Sequence, residues 1–277
     1  MFFYLSGTTF FTLGLGDVVP LNALGRALVV TEVGTGIIFL AMIIGYLPLL
    51  EQAYAQPEVG IQLLESRAGS PKSAVHLLRR FGRPESAEVL AAVLQEAERW
   101  AAELSQSHIA HPVLAYYRSQ HLGQSWLLSL TTLLDGCALL IVSRKGVPSR
   151  QARATFRMAV RVAADLAGIL SCPYCEATER LSPEDFPRLR AALESSGLVL
   201  PGGTETEAGL KKLRECYEPY VLALSAWLLV PLPAWIPTVE ENKDEPDFLT
   251  FADFVMVVFF TFIIVPEIRP TQGVPTI

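Results

Sequence analysis

Residues 27–50 read ALVVTEVGTGIIFLAMIIGYLPLL, a run in which Glu32 alone is charged at neutral pH. As a helix this run rises about 36 Å, enough to cross a hydrocarbon core of about 30 Å with some tilt. At that depth every backbone N–H and C=O must find its partner inside the protein, and a helix provides this within itself. A secretory signal is the poorer reading, because no basic residue precedes Arg26 and no small-x-small cleavage site follows cleanly. The flanks give a direction. Arg67, Lys72, Arg79, Arg80 and Arg83 follow the run, against Arg26 alone before it. The carboxyl side is therefore expected in the cytoplasm and residues 1–22 on the outer side.

The segment ahead of this run is short, apolar and rich in hydroxyls: Tyr4-Leu5-Ser6-Gly7-Thr8-Thr9-Phe10-Phe11-Thr12. It leads into Leu13-Gly14-Leu15-Gly16-Asp17, followed by Val18-Val19-Pro20. Glycines at alternate positions free the backbone for left-handed or extended geometries with carbonyls turned to one side. Non-helical backbone at membrane depth persists only where protein buries it or where it lines a watery cavity. A short helix, a glycine-alternating strand and a full span together describe a re-entrant loop. Its carbonyls, repeated around an axis, can replace the hydration shell of a monovalent cation. Glu32 is too costly to leave facing lipid and is expected to face protein or water. It reads as a structural hydrogen-bonding partner behind the pore rather than a permeation or proton-relay group.

The stretch from Thr8 to Asp17 resembles the pore-helix end and selectivity filter of potassium channels, whose usual filter reads Thr-Val-Gly-Tyr-Gly-Asp. Residues 23–50 then resemble the inner helix, with the family's hinge glycine falling on Gly36 and Gly34 as a near alternative. Residues 57–237 are similar, without a chemical motif, to the cytoplasmic region of bacterial channels with a single pore loop per chain. The resemblance implies that Thr12, Leu13, Gly14 and Leu15 present backbone carbonyls to the ion, and Thr12 its hydroxyl as well. Gly14 and Gly16 permit the dihedrals, and Asp17 braces the outer mouth. Each such chain supplies one filter strand, so the implied assembly is a homotetramer with fourfold symmetry. Leu15 stands where the family carries an aromatic that braces the filter, which relaxes the expectation of strict potassium-over-sodium selectivity. Family members also carry an outer transmembrane helix before the pore helix, whereas Met1 here lies almost on it. The chain is therefore expected to be a truncated or mis-started frame that assembles poorly alone.

Beyond residue 57 helix signals recur and strand signals are few. Ser70-Pro71 opens a helix stopped at Gly82, with Pro at its first position and Gly as terminator. Residues 86–105 carry Val89, Leu90, Val93, Ala97, Trp100, Ala101 and Leu104 as a helical stripe. His111-Pro112 restarts a short helix through Tyr116 and Tyr117. Ser125 caps 126–142, which reads as the central helix of a soluble bundle. Residues 149–170 form a basic amphipathic helix, Ser182-Pro183-Glu184-Asp185 starts one stopped at Gly197, and Thr204 or Thr206 opens a long helix to Val230. Residues 249–265, after an acidic linker at 240–245, are equally balanced between a membrane-associated segment and a helix packed on the bundle.

Other chemistry is disfavoured. Cys172-Pro173-Tyr174-Cys175 spells a glutaredoxin-like dithiol, but redox use needs a strand before it and a helix after it, and a helical segment precedes it. With Cys137 and Cys216 as further candidates, an all-cysteine zinc site fits no signature spacing; nor do His108, His111 and His121, which read as capping and packing residues. Arg150, Arg153, Arg157 and Arg161 form a solvated or subunit-facing stripe on one helix face. No phosphate-cradling glycine loop or nucleophile elbow is present, and a formal charge of −6 argues against a broad nucleic-acid-binding face. No enzyme, resident cofactor or metal beyond permeant potassium is expected.

The expected fold is all-α, a membrane pore helix, filter and inner helix over 1–50 followed by a cytoplasmic helical domain over 57–237. An acidic linker and apolar tail occupy 238–277. The expected function is a pore-forming cation-channel subunit in the plasma or inner membrane, with potassium the expected ion. The rival is a membrane-anchored helical interaction protein that does not conduct.

Overall fold

In a computed structural model the described residues are 1–68, 73–81, 86–117, 119, 124–143, 149–173, 175, 180–194 and 198–236. Among them the chain is all-α, without a strand. It falls into two compact units, Met1–Ala55 and Gln56–Ile277.

The first unit holds α1 (Phe2–Phe10) and the greater part of α2 (Ala23–Ala68). Asn22 caps α2, its side-chain oxygen accepting the Gly25 N–H at 2.7 Å and so satisfying one of the orphan donors of the first turn. The sequence places the end of the inner helix at Leu50, but α2 runs on to Ala68. Glu51, Gln52, Ala53, Ala55 and Gln56 are good helix formers, and nothing between Leu50 and Pro57 interrupts them. Among the described residues α2 is the one helix long and apolar enough to cross a membrane. Its apolar side chains have little cover within the chain: Val30 and Ile38 are each 70% exposed.

The second unit is a helical bundle. Its elements are α3 (Ala74–Phe81), α4 (Ala87–Ala110), a 3₁₀ turn (Pro112–Tyr116), α5 (Trp126–Val142), α6 (Ser149–Ile169), α7 (Phe186–Glu194), α8 (Thr204–Glu215) and α9 (Glu218–Leu228). α5 lies at the centre, packed by α3, α6, α8 and α9, while α4 lies along α6. Ser125 caps α5 through its hydroxyl oxygen, which accepts the Leu127 N–H at 3.2 Å. α5 is as apolar as a span, yet nearly every residue from Trp126 to Leu140 is buried, including Ser129, Thr131, Thr132 and Asp135. It is a core helix.

Three local expectations are corrected. Val89 is 54% exposed, and Leu94 takes the place assigned to it in the buried stripe of α4. The α7 helix starts at Phe186, after a turn in which the Ser182 hydroxyl oxygen accepts the Asp185 N–H at 3.2 Å. The long helix expected from Thr204 to Val230 is two helices, parted at Cys216-Tyr217. Pro219 is the cause: it donates no backbone hydrogen bond, and its ring would clash with the Glu215 carbonyl one turn back. At the first turn of α9 both deficits vanish. Ser70, Pro71, Gly82, His121, Gly197, the acidic linker and residues 249–265 lie outside the described residues.

Candidate permeation site

The first unit is organised around the end of α1. The chain leaves the helix at Phe11, whose N–H still reaches Gly7 O at 3.1 Å, and the Thr8 carbonyl takes Leu13 N–H at 2.8 Å and Gly14 N–H at 3.3 Å. These bonds close the helix terminus. They also hold the next residues in a fixed turn.

From there the backbone alternates in handedness. Thr12 (φ 59°), Gly14 (φ 53°) and Gly16 (φ 77°) have positive φ, whereas Leu13 and Leu15 between them do not. Glycine adopts this region freely, but a β-branched residue such as Thr12 does so only under constraint. Strain of that kind costs about 1–3 kcal/mol and clusters at functional sites. Thr12, Leu13, Gly14, Leu15, Gly16 and Asp17 are all exposed within the chain. Asp17 accepts the Val18 N–H at 3.0 Å, and the Tyr4 hydroxyl of α1 lies near its carboxylate.

Behind this segment α1 and α2 meet along one line. The Ser6 hydroxyl donates to the Glu32 carboxylate. One turn further on, Gly36 lies against the last residue of α1: a Cβ at Gly36 would stand 2.0 Å from the Phe10 carbonyl oxygen and 3.0 Å from its carbon. Phe39 continues the line, its ring centroid 6.0 Å from that of Phe10. Ser6 and Phe10 are spaced i, i+4 on one helix, and Glu32, Gly36 and Phe39 share one face of the other. Gly36 and Gly34 therefore differ. Gly36 is buried, whereas a Cβ at Gly34 would meet nothing within 4 Å.

These contacts lie within a segment that has known relatives. Residues 1–48 match the ion channel family. The match covers α1, the glycine-alternating segment and the apolar part of α2, out of 277 residues in the chain. No curated protein and no solved structure matches the chain significantly. The match supports an ion-conducting channel located in a membrane.

The remaining candidates lie in the second unit. Cys172 and Cys175 are half-buried free thiols following the carboxyl end of α6, a terminus that disfavours a thiolate. Burial also raises the Cys172 thiol above its usual range. His108 is buried against the Trp126 ring, with its Nδ1 2.9 Å from the Leu104 carbonyl. His111 follows the last turn of α4, its N–H bonded to Ser107 O at 2.9 Å. Arg150, Arg153, Arg157 and Arg161 are exposed along α6. Among the described residues no three histidine, cysteine or acidic side chains are grouped to hold a metal.

The sequence singled out the glycines and Glu32 but not their partners. Ser6 and Phe10 carried no special signal in a run already rich in hydroxyls and rings. The matching i, i+4 spacings of Ser6/Phe10 and Glu32/Gly36 could have revealed the pairing.

Proposed function

We propose that this chain is a pore-forming subunit of a potassium channel, conducting through the backbone carbonyls of Thr12, Leu13, Gly14 and Leu15. The observation that carries this reading is the alternation of positive φ at Thr12, Gly14 and Gly16 at the end of a short helix. A strand of uniform handedness turns its carbonyls alternately to opposite sides, whereas alternation of handedness turns them to one side. A row of such oxygens can stand in for the water around a monovalent cation. Gly14 and Gly16 keep the backbone in register, and Asp17 fixes the outer end.

One chain supplies one row, so the pore is a homotetramer closed around the axis. The exposed filter residues and the apolar surface of α2 face other copies and lipid. The excess of basic residues after the span supports a cytoplasmic second unit, which in this reading biases an inner-helix gate that bends at Gly36 or Gly34. The test is potassium flux into liposomes holding the full-length protein. Gly16→Ala puts a Cβ on a residue at φ 77° and is expected to abolish the flux. Unchanged flux would overturn the filter assignment.

A further inference from the structure

We infer that Glu32 and Gly36 are positioning residues for the filter, forming a seat on α2 that fixes where the pore helix ends. The inference rests on the proposed conduction through Thr12, Leu13, Gly14 and Leu15. α1 spans only Phe2–Phe10, too short to hold its place by its own helical stability. Its position must come from what it packs against. Within the chain α2 offers it a polar contact at Glu32 and a steric one at Gly36 a single turn on, with the Phe39 ring beyond. The Ser6 hydroxyl donates to the Glu32 side chain, a hydrogen bond that ties the two helices together across 26 residues of chain. The Gly36 backbone comes so close to the Phe10 carbonyl that a Cβ would stand 2.0 Å from its oxygen.

Phe10 is two residues before Thr12, and the Thr8 carbonyl that ties down Leu13 and Gly14 lies between Ser6 and Phe10 in the chain. A shift of the seat thus reaches the first carbonyls of the filter through one turn of helix. Glu32 has no need to touch an ion to matter for ion choice. Gly36 likewise acquires a requirement separate from bending: it must be glycine because α1 rests on it, and the open surroundings of Gly34 make no such demand.

The test uses the full-length protein in liposomes and compares the potassium-to-sodium flux ratio across variants. Ser6→Ala and Glu32→Ala are each expected to lower the ratio about tenfold, the size of one hydrogen bond. The double variant should fall no further, since either change removes the same contact. Glu32→Gln and Ser6→Thr, which keep an acceptor and a hydroxyl, should stay within about threefold of the wild-type ratio. Gly36→Ala should alter the ratio, whereas Gly34→Ala should leave it unchanged. Additive losses in the double variant, or Glu32→Gln behaving like Glu32→Ala, would overturn the pairing. Ratios unchanged in all seat variants, with flux abolished by Gly16→Ala, would remove the seat and leave the filter standing. Flux unaffected by Gly16→Ala would remove the filter itself, and the seat with it.

Discussion

Leu15 stands between two glycines and is 62% exposed within the chain. Carbonyl coordination needs only its backbone, so an aliphatic side chain there leaves the proposed chemistry intact. The side chain instead decides how firmly the row of oxygens holds its spacing, and a stiff row discriminates better between ions of similar charge. Potassium channels that this segment resembles carry an aromatic at that place. Leu15→Tyr is therefore expected to keep conduction and to raise the potassium-to-sodium flux ratio in liposomes. A ratio moving toward sodium would argue that the bulk of the side chain, and not its bracing, matters. Thr12 poses a related question, because its backbone is held at φ 59° despite a branched Cβ. The Thr9 and Thr8 carbonyls, which take the N–H groups of Thr12 and Leu13 at 3.0 and 2.8 Å, supply that constraint.

Among the elements, α5 and α9 are joined by a buried charge cluster that decides how the second unit packs. Asp135 of α5 receives both Arg180 terminal nitrogens, at 3.1 and 2.8 Å, and the Tyr217 hydroxyl. Arg214 donates to Glu218 at 2.9 Å, and the guanidiniums of Arg180 and Arg214 lie 5.7 and 5.6 Å from the Trp235 ring centroid. Burial and the neighbouring Asp135 carboxylate push the Tyr217 phenol well above its usual range. Burial likewise raises Glu218, against the pull of Arg214. Asp135→Ala leaves the buried Arg180 charge with the Pro233 carbonyl at 2.8 Å and the more distant Glu218 carboxylate at 3.7 Å, and is expected to cost about 3 kcal/mol, with Tyr217→Phe costing about 1–3 kcal/mol. Denaturant unfolding followed by circular dichroism measures both, and a loss below about 1 kcal/mol for Asp135→Ala would mean that Arg180 finds water or another partner. None of this cluster was legible in the sequence. Asp135 looked like an interruption in an apolar helix, and its partners lie 45 and 82 residues away. The start of α5, by contrast, was legible because Ser125 acts on Leu127 two residues on. The break at Pro219 could have been read, since a proline's clash with the preceding turn is local, but the apolar run around it masked the signal. In the first unit the positive φ of Gly14 and Gly16 was legible for the same local reason. The seating of Gly36 on Phe10 joins residues 26 apart and was not.

Over the whole molecule, two helices of similar apolarity meet opposite fates. α2 keeps Val30, Ile38 and Ile44 exposed, at 70, 70 and 65%, while α5 buries Leu127, Leu130, Leu133 and Leu134 completely. The difference is cover: α3, α6, α8 and α9 surround α5, whereas the apolar face of α2 awaits lipid or further copies. A bundle of about 180 residues buries enough apolar surface to hold itself together. Residues 57–237 produced alone are accordingly expected to be soluble and helical by circular dichroism. Dependence on detergent would make residues 126–142 a membrane segment after all. The same fragment should show one acid-side weakness. Burial against Trp126 lowers His108 from 6.5 to about 4, and its Nε2 has no hydrogen-bond partner among the described residues. Between those two values the unfolded chain binds a proton that the folded one refuses, so stability rises with pH across that window. The contribution is whole above about pH 6.5 and is lost as pH falls toward 4, up to about 3 kcal/mol in all. His108→Phe, which keeps a ring against Trp126 and removes the proton site, should flatten the fall in unfolding free energy between pH 6.5 and 4. An equally steep fall in that variant would show that His108 is not the group that carries the acid sensitivity.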